Sequence, residues 1–389
     1  MTTLIVGYAR TPFVKFNGVF KDVTAPALGA HAVSAALSAA GIAPDAVQYV
    51  VAGQVLQAGV GQNPARQTAV AAGIPLSTPA MTVNAVCLSG MEAIVAGHRL
   101  IAGGEADVVV AVGQESMTLA PHALVGSRAG TKYGSATLVD TLEVDGLTDA
   151  FERRSMGLST DEFNGSLGLG RAEQDSFAAS SHARLAAAQP ALRDEIAPLT
   201  VPGRAPVTVT DDDGLRANTT AETLGKLRAA FRDGGSITAG NSSQLTDGAA
   251  AVILVSDSYA SAHGISALAR LVSHALVSGP DVSLHAQPAN AIEAALSRAS
   301  RTAAELAAVE INEAFAAVAV HSTTQLGVDP AIVNSHGGAI ALGHPIGASG
   351  ARIVGHLARR LAALGPGTLG AAGICGGGGQ GSAIVLEAV

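Results

Sequence analysis

Two cysteines in 389 residues are too few for a disulfide framework, so each has to be read by its surroundings. Cys87 stands in VNAVCLSG (83–90), after an apolar run and before an Ala-rich helical stretch. A thiol at that junction faces the positive end of a helix dipole, which favours thiolate and nucleophilic chemistry. The inert alternative is a buried structural cysteine, because free Cys is among the most buried residue types. Cys375 opens CGGGGQG (375–381). Four consecutive glycines cost backbone entropy and contribute no packing. They suit a loop whose bare N–H groups approach a substrate; a flexible turn is the plainer reading. The Gly-Lys-Ser/Thr ending of a phosphate loop is absent. His344 lies in GGAIALGHPIGASG (337–350), where Pro345 restricts its backbone to extended or turn conformations. Asn312 opens NEAFA (312–316) and is either a helix cap or a polar group aimed at a substrate oxygen.

All four residues follow predicted strands, at the carboxyl ends where ligands gather in open α/β sheets. The predicted strands are Leu4–Tyr8, Val47–Ala52, Met81–Val86 and Ala106–Val112. Helices are predicted at Ala27–Ala40, closed by Gly41, and at Ala65–Ala72 and Gly90–Ala102. Strands apolar on both faces and separated by helices indicate a parallel sheet covered on both sides. From Met117 to Leu245 charge, Gly and Pro increase, which marks an insertion; it holds a helix at Arg171–Ala188 and an acidic turn at Asp211–Asp213. After a strand at Ala249–Val255 the opening plan returns. Strands are predicted at Val309–Ile311, Ala331–Val333, Thr368–Ile374 and Gly381–Glu387, and helices at Ala314–Gln325 and Gly350–Ala363. The segments starting at Val83 and Val333 both begin Val-Asn, reach Ser-Gly, and enter a helix carrying Gly-His. Such internal similarity implies two related α/β halves.

Composition removes several classes of function. A net charge of −8 and 3% aromatic residues argue against nucleic acid or an anionic membrane surface as partner. A hydrophobic fraction of 48% excludes a disordered chain. No apolar run approaches the roughly 20 residues of a spanning helix. The N-terminal MTTLIVGYARTPF lacks a secretory signal pattern, so the expectation is a soluble protein of the reducing cytoplasm.

Six motifs together resemble the thiolase family, of the acetyl-CoA C-acetyltransferase type: NAVCLSG (84–90), GQESM (113–117), ITAGNSSQLTDGAA (237–250), NEAFA, GGAIALGHPIGASG and CGGGGQG. The resemblance covers essentially the whole chain. It implies an α/β fold of two pseudo-symmetric βαβαβαββ halves in a five-layer α-β-α-β-α arrangement with an inserted loop domain. The halves would be 1–116 plus 246–267 and 268–389, with a coenzyme A-binding loop domain at 117–245. It implies ping-pong Claisen condensation of two acetyl-CoA to acetoacetyl-CoA, reversible by thiolysis. Cys87 would carry the acyl group, His344 would take its proton, and Cys375 would deprotonate the second acetyl-CoA. His344 and a water on Asn312 would face the enolate, and the N–H groups of Cys87 and Gly377 the other oxyanion. Arg216, Phe231, Ala239, Ser243, Leu245, Met156 and Phe315 would contact coenzyme A or the acyl group. No metal or cofactor is implied beyond coenzyme A thioesters as substrates, and the chain would form a dimer or tetramer. The alternative is a degradative 3-ketoacyl-CoA thiolase with longer chains. Two departures bear on that choice. Ser155 stands where short-chain biosynthetic members often carry His, and the usual Gly-x-Gly-Pro-x-Pro-Ala is here SGPDVSLHAQPA (278–289).

Overall fold

The computed structural model describes residues 1–389. Its first half runs β1 (Thr3–Arg10), α1 (Ala25–Ala40), β2 (Tyr49–Gly53), α2 (Pro64–Ala71), β3 (Ala80–Val83), α3 (Ser89–Ala102) and β4 (Val108–Glu115). The segment that follows holds α4 (Met156–Ser166) and α5 (Arg171–Arg193). β5 (Thr246–Ser256) returns to the first sheet between β1 and β4. The second half runs β6 (Ala269–Ser278), α6 (Gln287–Arg298), β7 (Leu306–Ile311), α7 (Ala316–Leu326), α8 (Ser349–Leu364), β8 (Leu369–Gly376) and β9 (Gln380–Ala388).

The two halves share one strand order. In the first, β1 and β5 pair antiparallel, β5 and β4 antiparallel, β4 and β2 parallel, and β2 and β3 parallel. In the second, β6, β9, β8 and β7 pair with the same senses in the same succession. The counterpart of β3 is where the sequence reading needs correction. Ala331–Val333 is no strand but a single parallel bridge, Val309 to Val333. Three residues hemmed between Pro330 and the glycine-rich run are too few to extend a ladder. The sheets meet edge to edge through β1 and β6, where Leu4 pairs with Arg270 and Ile5 with Ala269.

Layering follows from where apolar side chains go. α3 and α8 pack on each other and on strands of both halves, forming a shared middle layer. Met91, Ile94, Ile353, Val354 and Leu357 fill the core around them. α1 and α2 cover the outer face of the first sheet, and α6 with α7 that of the second. At the contact of the two central helices there is no room for side chains. A Cβ on Gly90 would come 2.6 Å from the carbonyl oxygen of Gly347, and one on Gly350 would come 2.4 Å from the backbone N of Met91. The repeated Ser-Gly pairs therefore let two helix N-termini, and the loops leading into them, meet backbone to backbone.

Candidate active site

Cys87 is presented on a tight turn between β3 and α3. Val86 has φ of +52°, a strained value for a β-branched residue. The turn is held by Asn84 Oδ1, which accepts from Val86 N–H at 2.9 Å. Ser89 Oγ accepts from Ala85 N–H at 2.9 Å and donates to the Val86 carbonyl at 2.6 Å. The thiol is buried, and burial pushes its pKa up to about 12. The backbone N–H groups of Cys87 and Gly377 face the sulfur and pull the other way, while the charge of Glu115 adds to the rise. The expected resting thiolate is thus not formed. Desolvation outweighs the helix end, because the sulfur is almost wholly removed from water.

His344 is also buried, and its two ring nitrogens have different partners. Ser349 Oγ gives its one hydrogen to the Pro345 carbonyl at 3.0 Å. It can therefore only accept from His344 Nδ1–H, 2.6 Å away. That network assigns the bare lone pair to Nε2, which is buried without a partner. Burial, with the charge of Arg352, pushes the pKa down to about 4, so the imidazole is neutral. Cys375 is the penultimate residue of β8, beside the turn that pairs Gly376 with Gln380. Burial and the nearby Cys87 sulfur push its pKa up.

Cys87, His344 and Cys375 line one cavity of about 60 Å³, together with Met156, Phe315 and Gly377. Asn312 is not part of the lining of this cavity, although Ala314 and Phe315, just after it in the chain, are. Its backbone N–H donates to the Gly373 carbonyl at 3.0 Å, and both polar atoms of its amide are buried without partners. Buried amides are normally satisfied, so these two atoms are free to bond a water or a substrate group. The small cavity opens on a cleft of about 650 Å³. Arg216, Phe231, Ala239, Ser243, Leu245, Met156 and Phe315 all line that cleft. Met156, Ser243, Phe315 and His344 line both spaces. Phe231 and Phe315 meet edge to face with centroids 6.2 Å apart, making one wall. Ser155 lines the cleft and caps α4, its Oγ accepting from Leu158 N–H at 3.2 Å.

Several groups went unassigned in the sequence. Lys15 is one of them: with Arg216, already expected at coenzyme A, it makes the two cations of the cleft, and neither pairs with a carboxylate, which suits phosphate groups. Glu115, from GQESM, is fully buried. Its carboxylate accepts from Val55 N–H (3.1 Å), Leu56 N–H (3.1 Å) and Gly347 N–H (2.9 Å). Burial pushes its pKa up to about 7 against those three donors. It ties the first half to the His344 loop. A Glu at the end of an apolar strand was the available signal, but not its partners. No group of three or more His, Cys, Asp and Glu residues is gathered to hold a metal ion. No helix is long and apolar enough to cross a membrane.

A thiolase N-terminal domain model matches residues 3–258, and a thiolase C-terminal domain model matches residues 265–388. The chain belongs to the thiolase family. A probable acetyl-CoA acetyltransferase of Mycolicibacterium smegmatis is 53% identical to this thiolase over 388 residues, 99% of this chain and 100% of that one. An acetyl-CoA acetyltransferase of Chromobacterium violaceum is 45% identical and covers 100% of both chains. Among solved structures, human mitochondrial 3-ketoacyl-CoA thiolase superposes with a TM-score of 0.95 at 38% identity, covering 100% of this chain and 99% of that one. The acetyl-CoA acetyltransferase of Bacillus anthracis gives 0.96 at 34% identity, with the same coverage. The five-layer thiolase fold read from the motifs is the fold observed.

Proposed function

We propose that this thiolase moves acetyl groups between coenzyme A thioesters, condensing two acetyl-CoA to acetoacetyl-CoA and CoA and running the reverse thiolysis. One observation carries the reading. Two buried thiols and a neutral imidazole with a bare Nε2 line a single acetyl-sized cavity that opens on a cleft with two unpaired cations.

With the thiol near 12 and the imidazole near 4, the resting pair is uncharged. The Cys87 proton therefore passes to His344 Nε2 as the sulfur attacks the thioester carbonyl, not before. Cys87 N–H and Gly377 N–H, which face the sulfur, then donate to the oxyanion that develops on the attacked carbonyl. CoA leaves as a thiol on a proton from Cys375, so that Cys375 becomes a thiolate while His344 keeps the Cys87 proton on Nε2. A second acetyl-CoA then enters, and the Cys375 thiolate formed in the cycle removes its α-proton. His344 and a water on Asn312 donate to the enolate oxygen. The enolate carbon attacks the acetyl-Cys87 thioester, giving acetoacetyl-CoA and expelling the Cys87 sulfur, which takes its proton back from His344 Nε2. Arg216 and Phe231 hold the coenzyme, and the 117–245 segment supplies most of its binding surface. The same reading makes the enzyme a cytoplasmic homo-oligomer, dimer or tetramer, with no dissociable cofactor. A 3-ketoacyl-CoA thiolase of longer chains is the second reading, supported by the human neighbour and opposed by the small cavity.

Quenching the enzyme after mixing with acetyl-CoA and mapping peptides by mass spectrometry should find acetyl on Cys87. Acetyl-transfer activity with Cys87→Ala, or acetyl on another residue, would overturn the reading.

A further inference from the structure

The acyl cavity has an entrance side and a far side, and they differ in what closes them. Met156, Phe315 and Ile346 belong to the cleft as well, so they form the entrance. The rest of the lining is Cys87, Cys375, three glycines, Ala314 and Leu284. Gly146 and Gly377 also border a second cleft of about 570 Å³, so the side away from both clefts is formed by Cys87, Cys375, Gly376, Ala314 and Leu284. Among these, Leu284 alone has a side chain larger than a methyl group and no part in the chemistry. It comes from SGPDVSLHAQPA, the segment in which this chain departs from the family pattern.

We propose that Leu284 sets the acyl-chain length of this thiolase by closing the far end of the cavity. The inference rests on the acyl-transfer reading above. Leu284 is buried and packs with Ala314, Val318 and Cys375. Its backbone is held in place. The Leu284 carbonyl accepts from Gln287 N–H at 3.2 Å. Next to it, His285 Nε2–H donates to Asn164 Oδ1 at 2.8 Å, and the His285 carbonyl accepts from Ser322 Oγ at 2.7 Å. The start of the segment is anchored on the tetraglycine turn, where Gly279 N–H donates to the Gly379 carbonyl at 2.9 Å. Gln287 Nε2 then closes the segment onto the Gly279 carbonyl at 3.0 Å. A side chain fixed this way does not swing aside for a longer acyl group, because close-packed interiors feel each methylene. The departure from the family pattern therefore places a rigid stop against the catalytic base.

The test compares kcat/KM for thiolysis of acetoacetyl-CoA and 3-ketooctanoyl-CoA in the wild type and in Leu284→Ala. The wild type should favour the short substrate. In Leu284→Ala the ratio should move toward the long substrate by about tenfold or more, the worth of a methylene or more in an apolar pocket. Should the alanine variant fail to fold, Leu284→Val with 3-ketohexanoyl-CoA should move the ratio the same way by a smaller factor. An unchanged ratio in a folded variant whose wild type turns over acetoacetyl-CoA would overturn the role of Leu284 alone. Absence of acetyl on Cys87 in the wild type would instead overturn the acyl-transfer reading beneath it.

Discussion

At the scale of single residues, Ser349 decides which nitrogen of His344 can act. Its hydroxyl is committed to the Pro345 carbonyl, so Nδ1 carries the ring proton and Nε2 is left to accept one. Ser349→Ala should lower kcat by about 10- to 100-fold with little change in KM for acetyl-CoA, because the base loses its tautomer and orientation while the cleft is untouched. An unchanged kcat would show that the tautomer is set elsewhere. Cys375→Ser should still take acetyl onto Cys87 but lose condensation by about 10²–10⁴-fold, the usual range for a missing acid–base group. Single-turnover acetylation and steady-state condensation, measured side by side, separate the two steps. These residue types were legible in the sequence because only two thiols exist, one just before a Ser-Gly helix start and the other opening a tetraglycine turn. Their ionisation was not. The helix end beside Cys87 suggests a thiolate, yet burial holds the thiol neutral, and burial depends on chain segments far away in sequence.

At the scale of elements, the site is assembled where α3 and α8 touch. Each helix begins with Ser-Gly, and in both the serine oxygen ties down the loop just before it. The glycines let the two helix starts approach more closely than any side chain allows. Gly350→Ala puts a Cβ against the backbone N of Met91, and backbone cannot step aside cheaply. The variant should lose about 1–3 kcal/mol of stability, the usual overpacking penalty, and lose kcat as the Cys87 and His344 loops separate. Urea unfolding and steady-state rates would check both; a fully active, equally stable variant would contradict the close approach. The internal repeat made the correspondence of these two segments readable in the sequence, but not their contact. The repeat failed at Ala331–Val333, where the strand shrinks to one bridge. It also left β6 and α6 unread, since their alternating and mixed patterns have no counterpart motif in the first half.

At the scale of the whole molecule, burial of histidines makes the fold sensitive to acid. Burial pushes His182, His274, His285 and His344 from 6.5 down to about 4 each. His98, His321 and His336 are lowered for the same reason. As pH falls from about 6.5 toward 4, the unfolded chain binds protons that the folded protein refuses, so stability drops. Glu115, raised by burial from 4.5 to about 7, acts in the opposite sense in the overlapping window, and Glu313 and Asp247 are raised too. The histidines outnumber these carboxyls, so the net slope should follow them. The urea midpoint should be lower at pH 5 than at pH 7; an equal or higher midpoint at pH 5 would show that the carboxyls dominate.

The sequence by itself determined the family, the chemical groups and the duplicated plan. Motifs encode these locally: a thiol in a turn, a histidine before proline, Ser-Gly at a helix start. Only the tertiary structure decided protonation, tautomer and the shape of the acyl cavity. Glu115 reaching Gly347 and Leu284 reaching Cys375 join residues 232 and 91 positions apart. Desolvation and steric closure are properties of all atoms around a point, and those atoms come together only when both halves fold onto the same middle layer.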